Sequence, residues 1–197
     1  MNRIVLGAVF LVFIASIAAA QDEIPQYEVF GGYSLIHEAH LNLNGAAAEL
    51  HYPLNPYFGI VGNVSYGHKS EDESSSSNPS TFDQFFALGG LRLSYRVAPV
   101  RFFFHALGGG VRLKLKGPGT GYGATVDYPY TGVAMAFGGG VDFSINDKIS
   151  IRPAQLEWIR EWVPERTVSD AIVPAVWADQ FRYSVGIVYK FGERQVF

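Results

Sequence analysis

Gln180-Phe181-Arg182-Tyr183-Ser184-Val185-Gly186-Ile187-Val188-Tyr189-Lys190-Phe191 is the stretch whose reading decides the fold. At a period of two, Phe181, Tyr183, Val185, Ile187, Tyr189 and Phe191 share one face. Arg182, Ser184, Gly186, Val188 and Lys190 share the other. A strand sends successive side chains to opposite faces, so this segment has an aromatic, apolar face and a face that carries charge. A soluble sandwich can use such a strand. So can a barrel with lipid outside and a polar lumen inside.

Working back from this strand, the same alternation recurs. Arg160 to Asp179 reads as a long loop containing Pro164 and Pro174. Ile149 to Ile159 reads as a strand in which Ile149 and Ile151 share a parity, whereas Leu156 and Trp158 take the other. A bulge at Pro153-Ala154 accounts for both the phase slip and the proline. Ile145 to Lys148 is a hairpin turn. Thr131 to Ser144 places Val133, Met135, Phe137, Val141 and Phe143 opposite Asp142 and a column of small residues. Lys116 to Tyr128 is a Gly-rich loop, and Ala98-Pro99 a tight turn.

Between these two connections, Phe102 to Leu115 has an ambiguous phase. We read its odd positions (Phe103, Leu107, Val111, Leu113, Leu115) as outward, because that sends Arg112 and Lys114 to the polar side. Phe85 to Val97 is clearer, with Phe85, Ala87, Leu91, Leu93 and Tyr95 opposed to Gln84, Arg92, Ser94 and Arg96. Three earlier strands run Gln26 to Ile36, Gly45 to Leu54 and Phe58 to Gly67, with Phe30 an apolar intruder on a polar face. The serine-rich, acidic run Lys69 to Pro79 reads as a solvated loop.

Eight strands follow within about residues 26–191. The connections after the first, third, fifth and seventh are long and polar; those after the second, fourth and sixth are tight. Long loops on one rim and short turns on the other mark an antiparallel up-and-down transmembrane β-barrel, an all-β fold. A soluble lipocalin-type barrel also has eight strands, but its apolar parity points inward. Two features favour lipid outside. The polar parity is mostly Gly, Ala and Ser, which suits a narrow interior. The apolar parity ends in aromatics: Tyr27, Tyr52, Phe58, Tyr95, Phe143, Tyr189 and Phe191 at one rim, and Tyr66, Trp158, Phe181 and Tyr183 towards the other. Paired glycines at Gly89-Gly90, Gly108-Gly109-Gly110 and Gly138-Gly139-Gly140 sit mid-strand, where they permit tight coiling.

Composition agrees. Aromatics are high (15%) and charged residues low (17%), and no cysteine is present to form disulfides or thiolate metal sites. Residues 1–20 read as a cleavable signal peptide: Arg3 precedes an apolar run from Ile4, and Ala18-Ala19-Ala20 precedes the cut. Residues 21–197 are then the barrel domain. The signal segment contains one base and no acid, so the mature chain carries 14 basic and 18 acidic residues, a net 14 − 18 = −4. With no basic stripe, a nucleic-acid partner is not expected.

At this point the chain resembles the OmpA/OmpX-type family of eight-stranded outer-membrane barrels, the outer membrane protein beta-barrel domain proteins. The resemblance rests on Tyr27-Glu28-Val29-Phe30-Gly31-Gly32-Tyr33-Ser34, on Ala134 to Asp142, and on Ser184 to Phe191. The last matches a terminal-strand assembly signal, with Ser184, Gly186, Tyr189 and Phe191 at its fixed positions. The resemblance implies outer-membrane lipid as surroundings, the barrel-assembly machinery as a partner during biogenesis, a monomer, no cofactor and periplasmic termini. The tail Gly192 to Phe197 departs from the pattern, because the signal usually ends the chain.

Candidate chemistry is sparse. His37-Glu38-Ala39-His40 is one residue short of a two-histidine zinc spacing. His68-Lys69-Ser70, with Glu71 or Glu73 nearby, resembles the arrangement of lipid A deacylases, but nucleophile, base and orienting acid must meet in space. Gly117 to Gly123 lacks the lysine and helix of a phosphate loop. No catalytic or metal site is assigned, and the chain is not expected to be an enzyme. The charges on the inward parity are the candidate site: Glu28, Glu49, Arg92, Arg152, Glu157, Arg182 and Lys190, with Arg96 and Asp142 beside them. Buried charges must be paired. Strand heights put Glu157 beside Arg182 and Glu28 beside Lys190, with Glu49, Arg92 and Arg152 in mid-lumen. The expected function is a small outer-membrane barrel with a closed lumen and a structural or surface-interaction role through its loops. A narrow channel for small solutes or ions is the alternative, and a lipid-modifying enzyme the second.

Overall fold

The computed structural model describes residues 24–38, 41–71, 80–118, 125–168 and 171–194. The expected signal peptide with the three residues after it, the centres of the four connections expected to be long, and the tail beyond Arg194 lie outside these residues. Eight long strands form a closed antiparallel barrel: β1 (Ile24–Glu38), β2 (Leu41–Pro53), β3 (Phe58–Glu71), β4 (Ser80–Val97), β5 (Val100–Pro118), β6 (Thr125–Ser144), β7 (Ile149–Val163) and β10 (Val176–Arg194). A small hairpin, β8 (Arg166–Val168) with β9 (Ala171–Val173), stands between β7 and β10. Each long strand pairs with its sequence neighbour, and β10 closes onto β1 from Ile24↔Arg194 to His37↔Phe181.

The closing strand has the facing that its alternation dictates. Phe181, Ile187, Tyr189 and Phe191 are exposed, whereas Arg182, Ser184, Val188 and Lys190 are buried. At the seam Gly32 lies opposite Gly186. A Cβ on Gly186 would sit 2.2 Å from the Gly31 carbonyl oxygen, so only glycine allows β1 and β10 to approach this closely. Tyr27 stacks on Phe191, and Tyr189 on Phe191, at the short-turn rim. The outer girdle contains Tyr66, Phe85, Phe137, Trp158 and Phe181.

The structure departs from the sequence reading in three places. First, β5 faces the other way. Phe103, Leu107, Val111 and Leu113 are buried inside with Arg101 and His105, while Phe102 and Phe104 are exposed. Arg112 and Lys114 lie on the outer face instead, Arg112 opposite Phe85 at the level of the aromatic girdle and Lys114 opposite Asp83 just above it, where water and headgroups replace hydrocarbon. Second, the strands are longer. A tilted crossing needs about 9–11 residues, yet β4, β5, β6 and β10 contain 18, 19, 20 and 19. Much of the segments 116–128 and 160–179 is therefore strand and not loop. Third, β10 continues past the assembly signal through Gly192, whose φ of 72 bends the chain, to Arg194.

The bulge lies where the phase slip requires. Ser184 pairs with Gln155 and Gly186 with Arg152, so β7 carries one residue more than β10 across Pro153-Ala154. The extra residue keeps both Arg152 and Glu157 pointing inward despite their odd separation.

Candidate functional site: the lumen

Every strand contributes inward side chains, and below mid-height these form one ionic chain. From the short-turn rim upward, His51 Nδ1 lies 2.7 Å from Glu28 Oε2, and Arg101 bonds both Glu28 and Asp142 (2.8 Å to the latter). Arg152 Nε donates to Asp142 Oδ1 at 2.6 Å, and its Nη1 donates to Glu49 Oε1 at 3.0 Å. Arg92 bonds Glu49 as well. His105 then lies between Glu49 (3.8 Å) and Glu157 (3.0 Å). Arg182 clamps Glu157 through two bonds of 2.7 Å and reaches across the lumen to Ser65 and to Asn63 Oδ1 (3.0 Å).

Four carboxylates (Glu28, Glu49, Asp142, Glu157) thus meet four guanidinium groups (Arg92, Arg101, Arg152, Arg182). Balance is what makes the arrangement stable, since an unpaired charge in a dry interior costs several kcal/mol. Planar guanidinium suits this role better than lysine, because its fork serves two carboxylates at once. Two aromatic rings help. Arg152 lies over Phe30 (4.5 Å) and Phe103 (4.3 Å), and Arg92 over Phe103 (4.1 Å). Phe30, the apparent intruder, is a cation platform inside the lumen. Gly138 makes room for Glu157, since a Cβ there would sit 2.6 Å from the Glu157 Cα.

The structure brings together Glu157 with Arg182, and Glu49 with Arg92 and Arg152. It does not join Glu28 to Lys190. The two are cross-strand partners, but Arg101 and His51 take the Glu28 carboxylate and Lys190 Nζ donates to Ser144 Oγ at 3.1 Å. Arg101 outcompetes Lys190 because it bridges two carboxylates. Arg96 is exposed at the rim. The sequence reading missed His105 because it lies on the β5 parity assigned outward, and Arg101 because the expected strand starts one residue after it, at Phe102. His51 was on the right face and was passed over.

Above the ionic chain lies an apolar layer that the sequence reading did not anticipate. Ile36, Leu43, Val61, Phe86, Leu88, Leu107, Val111, Ala134, Ala136 and Ile159 form one buried cluster inside the barrel. Above this layer, at the long-loop mouth, Gln84 donates to Glu161 Oε2 (3.1 Å), Tyr130 to Glu161 Oε1 (3.0 Å) and Gln180 to Glu38 Oε2 (3.2 Å).

The other motifs do not assemble. His37 Nδ1 lies 2.6 Å from Asn42 Oδ1, and His40 lies outside the described residues. His68 pairs with Asp83 at 2.7 Å on the outer face, while Glu73 lies outside the described residues. Of the Gly-rich run, Gly117 and Pro118 end β5 and residues 119–123 lie outside. Among the described residues no group of three or more His, Cys, Asp or Glu could hold a metal ion.

A family model described as "Outer membrane protein beta-barrel domain" matches residues 6–158. No curated relative matches. Solved structures of the same fold include Ail of Yersinia pestis (14% identity, TM-score 0.53, covering 86% of this chain and 99% of that one). Neisserial surface protein A is similar at 10% identity and TM-score 0.52 (84% and 96% covered). The outer membrane protein OprG of Pseudomonas aeruginosa is similar at 11% and 0.50 (86% and 97% covered).

Proposed function

The chain belongs to the outer membrane protein beta-barrel domain family, and from that membership we propose a barrel that acts through what it presents outside the membrane, not through its interior. It is a small outer-membrane protein of a Gram-negative-type envelope. Its short turns face the periplasm and its long-loop rim faces outward. One observation carries the closed-lumen reading: Arg92, Arg152 and Arg182 are all but inaccessible to solvent (1%, 0% and 0%), each clamped to carboxylates, with the apolar layer above them. Eight strands leave an interior just wide enough for side chains, and here side chains fill it. Strands of 18 to 20 residues outrun the bilayer and raise the loop rim above it. That favours a structural or surface-interaction role, with no catalytic step assigned.

Planar-bilayer recording tests this. The native protein is expected to show no steady conductance. A steady conductance that changes in Arg92→Gln or Arg152→Gln would instead establish the narrow-channel reading. A mass shift of lipid A on expression would establish the lipid-modifying one.

A further inference from the structure

The two carboxylates at the long-loop mouth differ from every other carboxylate in the lumen. Glu161 is buried (1%) and Glu38 half-buried, and among the described residues neither has an Arg, Lys or His within 4 Å. Their partners are neutral: Glu161 accepts from the Gln84 amide and the Tyr130 hydroxyl, and Glu38 from the Gln180 amide. Buried charge without a counter-charge is unfavourable by several kcal/mol, so the two acids call for a cation or a proton.

Two further side chains show which it is. Gln84 and Gln180 are fully buried, and each turns its amide N–H towards a carboxylate, Gln84 to Glu161 and Gln180 to Glu38. The acids fix that orientation, because a flipped amide would set oxygen against oxygen. The consequence is that both amide oxygens, Gln84 Oε1 and Gln180 Oε1, are buried without a hydrogen-bond partner. The register keeps the four residues contiguous. Glu161 pairs with Ala178, so Gln180 is its diagonal neighbour on the same inward face, and Glu38 follows the His37↔Phe181 pair to stand beside Gln180. Below them the apolar layer seals the floor.

We propose that the carboxylates of Glu38 and Glu161 and the amide oxygens of Gln84 and Gln180 form a binding site for a hard divalent cation of the calcium class. Oxygen donors alone, half of them charged and half neutral, are the set that calcium accepts, with water completing its six to eight ligands. Magnesium demands a tighter octahedron than four side chains from four strands supply. Two carboxylates place the affinity in the weak range of extracellular sites, a Kd of about 10⁻⁴–10⁻³ M. The cation would turn both amides over, so that their oxygens face it beside the carboxylates, and would tie β1, β4, β7 and β10 together above the apolar floor, as the guanidinium groups do below it.

The test uses the full barrel in phosphatidylcholine nanodiscs, stripped with chelator and titrated with Tb³⁺. Tyr130, whose hydroxyl bonds Glu161, is the sensitising fluorophore. Saturable luminescence is expected, displaced by Ca²⁺ at lower concentration than by Mg²⁺. It should be lost in Glu161→Gln and Glu38→Gln, with the heat-modifiable gel shift showing that both variants are folded. It should persist in Asp179→Asn, which removes an exposed carboxylate near the same rim. No saturable signal in the native barrel would overturn the site and mean that a proton neutralises the pair. A signal that survives both glutamate variants would overturn it as well, by placing the ion elsewhere.

Discussion

The two ends of the lumen solve the same problem differently. Towards the short-turn rim, buried carboxylates meet guanidinium groups in equal number, and Arg101 and Arg152 each bridge two of them. Towards the long-loop mouth, Glu38 and Glu161 have amides and a phenol but no cationic side chain among the described residues. An apolar layer separates the two. The lesson is that the lower half balances its buried charge with its own side chains, whereas the upper half leaves that balance to a cation or a proton. The lower half should be intolerant of single changes, and the upper half should tolerate them.

The largest effect is expected at Arg152, which serves Asp142 and Glu49 together. Arg152→Met should lower unfolding free energy in lipid vesicles by about 5 kcal/mol, the upper end for breaking a buried pair. A loss below about 1 kcal/mol would mean that water already screens this end. In the apolar layer, Leu107→Ala should cost about 3 kcal/mol by leaving a cavity. If that variant also begins to conduct, the layer is the seal; if Arg152→Met conducts and Leu107→Ala does not, the ionic chain is. At the mouth, with divalent cation chelated, Glu161→Gln should change stability by no more than about 1 kcal/mol, because no guanidinium is left unpaired. A loss as large as that of Arg152→Met would erase the contrast between the two ends. The smallest effect belongs outside the lumen. Arg160 and Asp179 are 3.7 Å apart and about half exposed, so Arg160→Gln should stay within about 0.5 kcal/mol in the same assay.

Much of this was legible in the sequence. β10 could be assigned residue by residue, because lipid on one face and charge on the other leave little ambiguity at period two. The bulge at Pro153 was legible for the same reason. The pairing of Glu157 with Arg182 followed from strand heights alone. What failed was the assumption that the outer face is apolar along its whole length and the inner face polar. β5 violates both halves. Its inner face joins the apolar layer through Leu107, Val111 and Leu113, and its outer face turns basic at Arg112 and Lys114 once it leaves the hydrocarbon. Parity is a rule about the lipid slab, and long strands outrun the slab. The same overrun hid Glu161, which lay in a segment read as loop. The competition by which Arg101 takes Glu28 from Lys190 depends on distances across the lumen, which no strand pattern encodes.

The central claim is that paired charges hold the lumen closed, and a double-mutant cycle on Glu157 and Arg182 tests it most directly. Unfolding free energies would be measured in lipid vesicles for the native protein, Glu157→Gln, Arg182→Met and the double variant. The account predicts that the double variant loses less than the sum of the singles by about 2–3 kcal/mol, near the top of the range for directly bonded side chains. A coupling near zero would contradict it, because the two groups would then meet water and not each other.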